Sequence, residues 1–548
     1  MLCVTAGAGV IEQNQIGWNE FSHYAQVQAF DRGTSIIDRY QLGTGDKAYR
    51  DGHFYGDKAP GLALLALPVY HVARATGLVT PSRTPFTQST VSGVHLLVLF
   101  VSTLPAAIIM LLAYWLVQRR DPGQGAAVAV TLGLATLLFP FATLLFSHVL
   151  SACLGFAAYC VLWRERQVGG GLGLIIAGGA LVGLAVGTEY PLGVLAVLLG
   201  LYVLLRPAPR RAVAAYVGGF LIGLLPLLLY DWWAFGSPLH LSYSYVAANS
   251  SGVLGLGAPS LRNLIRLLVA DRGLLVVTPV VAAGLGGLAV LWREHRRADA
   301  VIPAAVVLGY LGYNACYYLP FGGGVPGPRF LITLLPFLAA PLGAAYRKAP
   351  IATLTIAVTS AAMMALATIA GPVLDTGLST HSWWLRIEVG HFRTSLTSIW
   401  IFGGFALAAI LLAARATPRP RVTMLDLELA AVGLLAWLAI TRAGPALLAK
   451  DLSTGHSWGL LALVVLTAAL AVIITRMAIG KPLAWLAMIP LAPLAMRSFD
   501  RTALAFCLVA AAGGVLVVLA RAPATVSVIT SALSRGLGRA AHWRAQAP

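Results

Sequence analysis

Long apolar runs separated by short basic links dominate the chain. Candidate spans centre on residues 92–117, 125–141, 145–163, 171–188, 190–205 and 212–233. Others centre on 273–292, 300–319, 330–346, 350–371, 396–414, 423–441, 457–475, 482–496 and 503–520. A helix crossing roughly 30 Å of hydrocarbon needs about 20 apolar residues. These 15 runs therefore predict an all-α, polytopic integral membrane protein with about 15 transmembrane helices. Residues 2–11 are apolar but too few to span, and read as the end of an incomplete first membrane helix. Gly61–Ala75 is short, flanked by polar residues and contains Pro68, so it reads as an interfacial helix.

Composition agrees. Of 548 residues, 58% are hydrophobic and 11% charged, with a mean hydropathy of +0.81. That excludes a soluble enzyme, a disordered chain and a disulfide scaffold. The five cysteines lie in apolar runs with no metal-ligand spacing. A net charge of +18 would suggest nucleic acid in a soluble protein. Here the links and tail on one side of the membrane hold 21 bases against 6 acids, so charge encodes topology. That basic side is predicted to be cytoplasmic, which puts residues 12–90 outside, and no nucleic-acid partner is expected.

The scarce acids are uneven. The first external loop holds 7 of the 20: Glu12, Glu20, Asp31, Asp38, Asp46, Asp51 and Asp57. They are interleaved with His23, His53, Lys47, Lys58, Tyr24, Tyr40, Tyr49 and Tyr55. Glu20 to Phe30 reads as a helix stopped by Gly33, and Asp46 to Pro60 has a turn-like composition. A carboxylate beside apolar surface suits a general base, because reduced hydration raises its pKa. Arg329 follows the glycine-rich Gly322–Pro328 segment at the start of a predicted helix, where an anion fits. His148, Glu189, Asp231 and Arg272 sit near helix ends. His381, Trp383 and Trp384 read as an interfacial aromatic belt. The tail with Arg535, Arg539, Trp543 and Arg544 reads as an anionic-lipid anchor.

Several segments together resemble bacterial GT-C glycosyltransferases, specifically the protein-mannosyltransferase-like branch of actinobacteria and related bacteria. They are Asn19-Glu20-Phe21-Ser22-His23-Tyr24, Asp31-Arg32-Gly33-Thr34, Ile37-Asp38 and the stretch from Asp51 to Gly61. Phe235-Gly236-Ser237-Pro238 with Asp271-Arg272-Gly273, and the Gly322–Phe330 segment, extend the resemblance patchily over residues 19–346. It implies a GT-C-like multi-pass fold with interfacial helices in the first loop. It also implies a polyprenyl-phosphate sugar donor in the outer leaflet. A first-loop acid would deprotonate the acceptor hydroxyl, which displaces the lipid phosphate with inversion. Glu20 matches that acid best, with Asp38 and Asp57 as rivals, since the family often has two adjacent acids where this chain has Asn19-Glu20. Glu20 alternatively caps its helix.

The expected layout is residues 1–11, the incomplete first helix; 12–90, the external catalytic loop; 91–346, a GT-C-like core; 347–520, additional helices; and 521–548, a basic cytoplasmic tail. Lys58, Arg329 and Arg272 are expected at the donor phosphate, and His23, Tyr24, His53, Tyr55 and Glu189 at acceptor or sugar. No metal motif is present, although an acidic loop offers ligands for a divalent ion. The expected partners are the lipid-linked donor, membrane lipids and a cell-envelope glycan, lipid or protein acceptor. The expected activity is hexosyl or pentosyl transfer at the outer face of a bacterial plasma membrane. The alternative is a transporter or lipid-linked oligosaccharide flippase, which would place ionisable residues mid-membrane in repeated halves; no repeat is evident.

Overall fold

The structure, a computed structural model, describes residues 1–448 except 170, 207–208, 247–254, 374–382, 384–385, 387–388 and 391. The expected spans centred on 457–475, 482–496 and 503–520, His381, Trp384 and the basic tail lie outside the described residues. The chain is a predominantly helical, multi-pass membrane protein. Seven described helices are long and apolar enough to cross: Gln88–Arg120, Gly171–Thr188, Pro209–Phe235, Arg297–Cys316, Arg329–Lys348, Pro350–Ala370 and Leu396–Ala416. The pair Leu261–Val277 and Val280–Arg293, bent by 93°, makes up to an eighth. Ser147–Val168 and Met424–Leu448 are long helices beside them. Gly171–Thr188 and Pro209–Phe235 meet backbone to backbone, as small residues allow in a membrane. A Cβ on Gly223 would lie 2.0 Å from the Ala180 carbonyl oxygen.

Three expected spans are reshaped. The run 125–141 is not one helix: Gly125–Leu134 ends, Leu138–Phe141 forms a single turn around Pro140, and an irregular stretch leads to Ser147. At the break, Thr136 donates its hydroxyl to the Leu132 carbonyl at 2.6 Å. Buried irregular backbone needs partners. Ser102 donates to the Leu144 carbonyl at 2.7 Å and Thr103 to that of Ala142 at 2.8 Å. Both hydroxyls come from one π-helical turn, Leu99–Thr103, within Gln88–Arg120. The run 273–292 is broken where Thr278 meets Pro279, which has no N–H to continue a helix. The run 330–346 begins as a buried 3₁₀ segment, Arg329–Leu338, containing Pro336.

The basic links gather at one end. Asp121 receives Arg296 at 2.9 Å and Arg347 at 2.7 Å, Glu294 pairs with Arg347 and Lys348, and Asp299 pairs with Arg120. Glu165 pairs with Arg206.

The first loop folds over the other end. It contains helix Trp18–Phe30, the antiparallel strands β1 (Lys47–Arg50) and β2 (His53–Gly56), and helix Gly61–Ala75. The hairpin corrects the reading of Asp46 to Pro60 as turn alone. The two helices pack through an edge-on Tyr24–Tyr70 contact, with ring centroids 5.7 Å apart. Asp31 locks them by pairing with His71 and Arg74, each at 2.7 Å. Leu65, Val72 and Leu78 stay exposed on or just beyond Gly61–Ala75, an amphipathic pattern that fits an interfacial helix. Trp383, expected in an interfacial belt, is instead buried in the core.

Candidate active site

Helix Trp18–Phe30 starts at Gly17, whose extended backbone leaves an N–H free. Glu20 reaches back to accept that N–H at 2.9 Å, while its other oxygen accepts the Leu145 N–H at 3.3 Å. The carboxyl is 1% exposed. Burial pushes its pKa up to about 7, with the two amides opposing the shift. Glu20 thus caps its own helix and satisfies the irregular strand at Leu145.

One face of this helix is a polar stripe at helical spacing: Asn19, Ser22, His23 and Gln26. All are buried although they belong to a loop. Gln26 bonds the Tyr230 hydroxyl at 3.3 Å, Asn19 donates to Asp46 at 3.4 Å, and Ser22 donates to Asp57 at 3.5 Å. Neither ring nitrogen of His23 has a partner among the described residues. Burial, reinforced by Lys58, lowers its pKa to about 3, so the ring is neutral.

The hairpin explains why two acids and a lysine converge. Asp51-Gly52 turns with φ of 49° and 86°, the left-handed pair that a two-residue hairpin favours. Lys47 then sits opposite Gly56, so Asp46 and Asp57 flank the open end. Lys58 bridges them, 3.2 Å from Asp46 and in direct contact with Asp57. Burial pushes the Lys58 ammonium down, but the two carboxylates outweigh it and hold it above its ordinary range. Burial raises the Asp57 carboxyl. It also pushes Asp46 up, yet Lys58 and Arg329 outweigh that and leave Asp46 below the usual carboxylate range. The Asp46 side chain is 29% exposed, against 8% for Asp57. Its Oδ2 takes the bonds from Lys58 and Asn19, leaving Oδ1 unbonded among the described residues.

Arg329 approaches from the far side of the sequence. Gly322, at φ 75°, lies so close that a Cβ there would meet the guanidinium Nε at 2.4 Å. Arg329 is 9% exposed, and its Nε has no hydrogen-bond partner among the described residues. Its guanidinium carbon lies 5.5 Å from the Phe146 ring centroid and 5.2 Å from that of Phe330. Among the described residues it forms no ion pair, although its field reaches Asp46, Asp57 and Glu189. Glu189 accepts the Ser147 hydroxyl and lies 3.5 Å from His148 Nδ1.

The sequence-derived candidates separate accordingly. Lys58, Asp57, Arg329, His23 and Glu189 share one buried polar cluster. Asp38 instead accepts the Phe54 N–H at 2.6 Å and pairs with His53 at 2.8 Å, at an exposed corner of the hairpin. Arg272 donates to the carbonyls of Gly323 and Val325, bracing the glycine-rich loop. Tyr24 and Tyr55 pack against other rings, Tyr55 against Phe235 at 5.1 Å. Asp46, Ser22, Ser147 and His148 were not singled out for the site. The helical spacing of Asn19, Ser22, His23 and Gln26, and the flanking of an Asp-Gly turn by Asp46 and Asp57, were the available signals.

Two cations and several carboxylates in a water-poor cluster can hold a phosphorylated substrate and move a proton beside it. Among the described residues, no group of three His, Cys, Asp or Glu is arranged to hold a metal ion. No family model and no curated protein matches the chain. Solved structures similar to it include ArnT from Cupriavidus metallidurans bound to undecaprenyl phosphate, with TM-score 0.45 and 12% identity over 89% of this chain and 78% of that one. The apo state of the same protein gives TM-score 0.44 and 13% identity over the same shares. The archaeal oligosaccharyltransferase AglB from Archaeoglobus fulgidus, in complex with an inhibitory peptide and a dolichol-phosphate, gives TM-score 0.41 and 12% identity over 80% of this chain and 57% of that one.

Proposed function

We propose that the chain is a GT-C-type inverting glycosyltransferase. It moves a sugar from a polyprenyl-phosphate donor to an acceptor hydroxyl at the outer face of a bacterial plasma membrane. The observation that carries this reading is the buried cluster of Lys58, Arg329, Asp46 and Asp57 on the first-loop end of a membrane helix bundle. The first-loop and Gly-Pro-Arg segments that resemble such transferases supply most of its residues.

In the proposed step, the acceptor oxygen attacks the anomeric carbon and the bond from that carbon to the phosphate oxygen breaks. The bonding pair leaves with the lipid phosphate, and the hydroxyl proton passes to a first-loop carboxylate. Lys58 and Arg329 stabilise the charge gathering on the phosphate. Asp46 suits the proton by position, because it is reachable from outside and has Oδ1 unbonded among the described residues. Asp57 keeps Lys58 in place. Glu20, with both oxygens on backbone amides, positions the helix that carries the polar stripe.

The test supplies radiolabelled polyprenyl-phosphate sugars to membranes containing the full chain and measures labelled product and freed lipid phosphate. Turnover of at least one donor, lost in Lys58→Ala and Arg329→Ala, is expected. No turnover across neutral, amino and acidic sugars, with transport of the same lipids instead, would replace the transferase by the flippase reading.

A further inference from the structure

Ser147 and His148 open helix Ser147–Val168, and Glu189 follows helix Gly171–Thr188. All three are buried; Glu189 accepts the Ser147 hydroxyl and lies 3.5 Å from His148 Nδ1. The surroundings are aromatic: the His148 ring lies 5.8 Å from Phe141, 5.9 Å from Phe146 and 5.5 Å from Phe330. Tyr317 packs on Phe330 at 5.2 Å. Neither His148 ring nitrogen has a hydrogen-bond partner among the described residues, an expensive state for a buried polar group unless something occupies it. Phe330 borders both this patch and the Arg329 guanidinium. Rings with a few convergent polar groups form a small-molecule site. A sugar bonded to a phosphate held by Arg329 would reach it.

We propose that Glu189, His148 and Ser147 read the sugar of the lipid-linked donor, and that this subsite takes a neutral or amino sugar and rejects a uronic acid. The proposal rests on the transferase reading. Glu189 accepts hydrogen bonds from ring hydroxyls, or pairs with an ammonium, and the aromatic rings cover the apolar face of the sugar. A uronate would bring a second carboxylate against Glu189. The nearby cations are already engaged, Lys58 by Asp46 and Asp57 and Arg329 by the donor phosphate.

The experiment measures equilibrium binding to the full chain in lipid nanodiscs. The probes are undecaprenyl phosphate alone and the same lipid phosphate carrying mannose, galactosamine or glucuronic acid. The parent is expected to bind the glucuronate probe at least about tenfold more weakly than the mannose probe. Glu189→Gln should weaken the mannose probe about tenfold, leave bare lipid phosphate within about twofold, and narrow the discrimination against glucuronate. His148→Asn should weaken the mannose probe in the same selective way, and it stands in if Glu189→Gln does not fold. Equal weakening of bare and sugar-bearing probes, or parent affinity for glucuronate equal to that for mannose, overturns the subsite. Failure of bare lipid phosphate to bind the parent overturns the transferase reading and the subsite with it.

Discussion

Both ends of the helix bundle are rich in charge, and they use it differently. At the basic end, Asp121 is shared by Arg296 and Arg347, Glu294 by Arg347 and Lys348, and Asp299 by Arg120 and Arg296. Each of these three acids lies against a cation from another link, so the pairs fasten helices that are distant in sequence, while Asp426 on the same side accepts the Ile351 and Ala352 amides. At the first-loop end, among the described residues, Arg329 has an unpartnered Nε, His23 and His148 have ring nitrogens without hydrogen bonds, and Lys58 is buried between two carboxylates. Burying polar groups without partners costs stability, and such groups cluster where chemistry is done. Charge abundance alone therefore does not separate scaffold from site: unpartnered atoms occur at the basic end too, at Arg120 Nε and Glu428 Oε2, but at the first-loop end they gather around one buried cluster.

The sharpest way to break that contrast is at Asp46. Asp46→Asn is expected to lower sugar transfer by about 10²–10⁴-fold, the range for losing a general base, with donor binding little changed. A parent-like rate in Asp46→Asn, with the loss appearing in Asp57→Asn, would move the base by eleven residues along the hairpin.

Arg329→Ala should cost about 10²–10³-fold in transfer, as for removal of one oxyanion-stabilising group. Arg347→Ala, the same chemical change at the other end, should stay within about twofold of the parent. Comparable losses in both would dissolve the distinction.

Glu20 gives a pH signature. Its folded value of about 7 lies above the ordinary 4.5, so the native state holds the proton more tightly than the unfolded chain. The stability gained by protonation is complete below about pH 4.5 and is lost as pH rises through about 7, a swing of roughly 3 kcal/mol. Glu20→Gln cannot titrate there, and its unfolding in nanodiscs should depend less steeply on pH over the window where the parent weakens. Parallel slopes would contradict the buried, capped carboxyl.

Asp121→Ala removes the shared partner of Arg296 and Arg347. It should destabilise by about 2 kcal/mol, less than a fully buried pair because both arginines are partly exposed. Transfer by the folded fraction should be unchanged, and reduced specific activity per folded molecule would refute a purely structural role. Asp38→Asn is expected to have the smallest effect, about 0.5 kcal/mol, because its contacts with Phe54 and His53 lie at an exposed corner. Chemical denaturation would measure it.

Much of this was legible before any coordinates. Apolar length shows a multi-pass helical membrane protein though not the course of every span, Pro68 and its polar flanks mark Gly61–Ala75, and the acid-rich first loop marks the candidate site. Lys58 and Arg329 could be named because a lysine before Pro60 and an arginine after glycines and prolines each suit an anion. Glu20 illustrates the limit. Its place as the first helical acid suits both a base and a cap, and its contact with the Leu145 amide, 125 residues away, is not readable from sequence. Asp46 was counted among the loop acids but not singled out, because only the hairpin register opposes it to Asp57. Arg272 reads from sequence as an anion binder, and in the fold its Nη1 is held by the carbonyls of Gly323 and Val325.

The sequence by itself determined the membrane class, the grouping of basic links and the end of the molecule holding the acids. Those properties follow from hydropathy and charge summed along short stretches of chain. Only the tertiary structure decided which charges are spent on one another and which remain available. Pairing depends on atoms brought within a few ångströms across more than a hundred residues, and on burial that removes the water which would otherwise satisfy them.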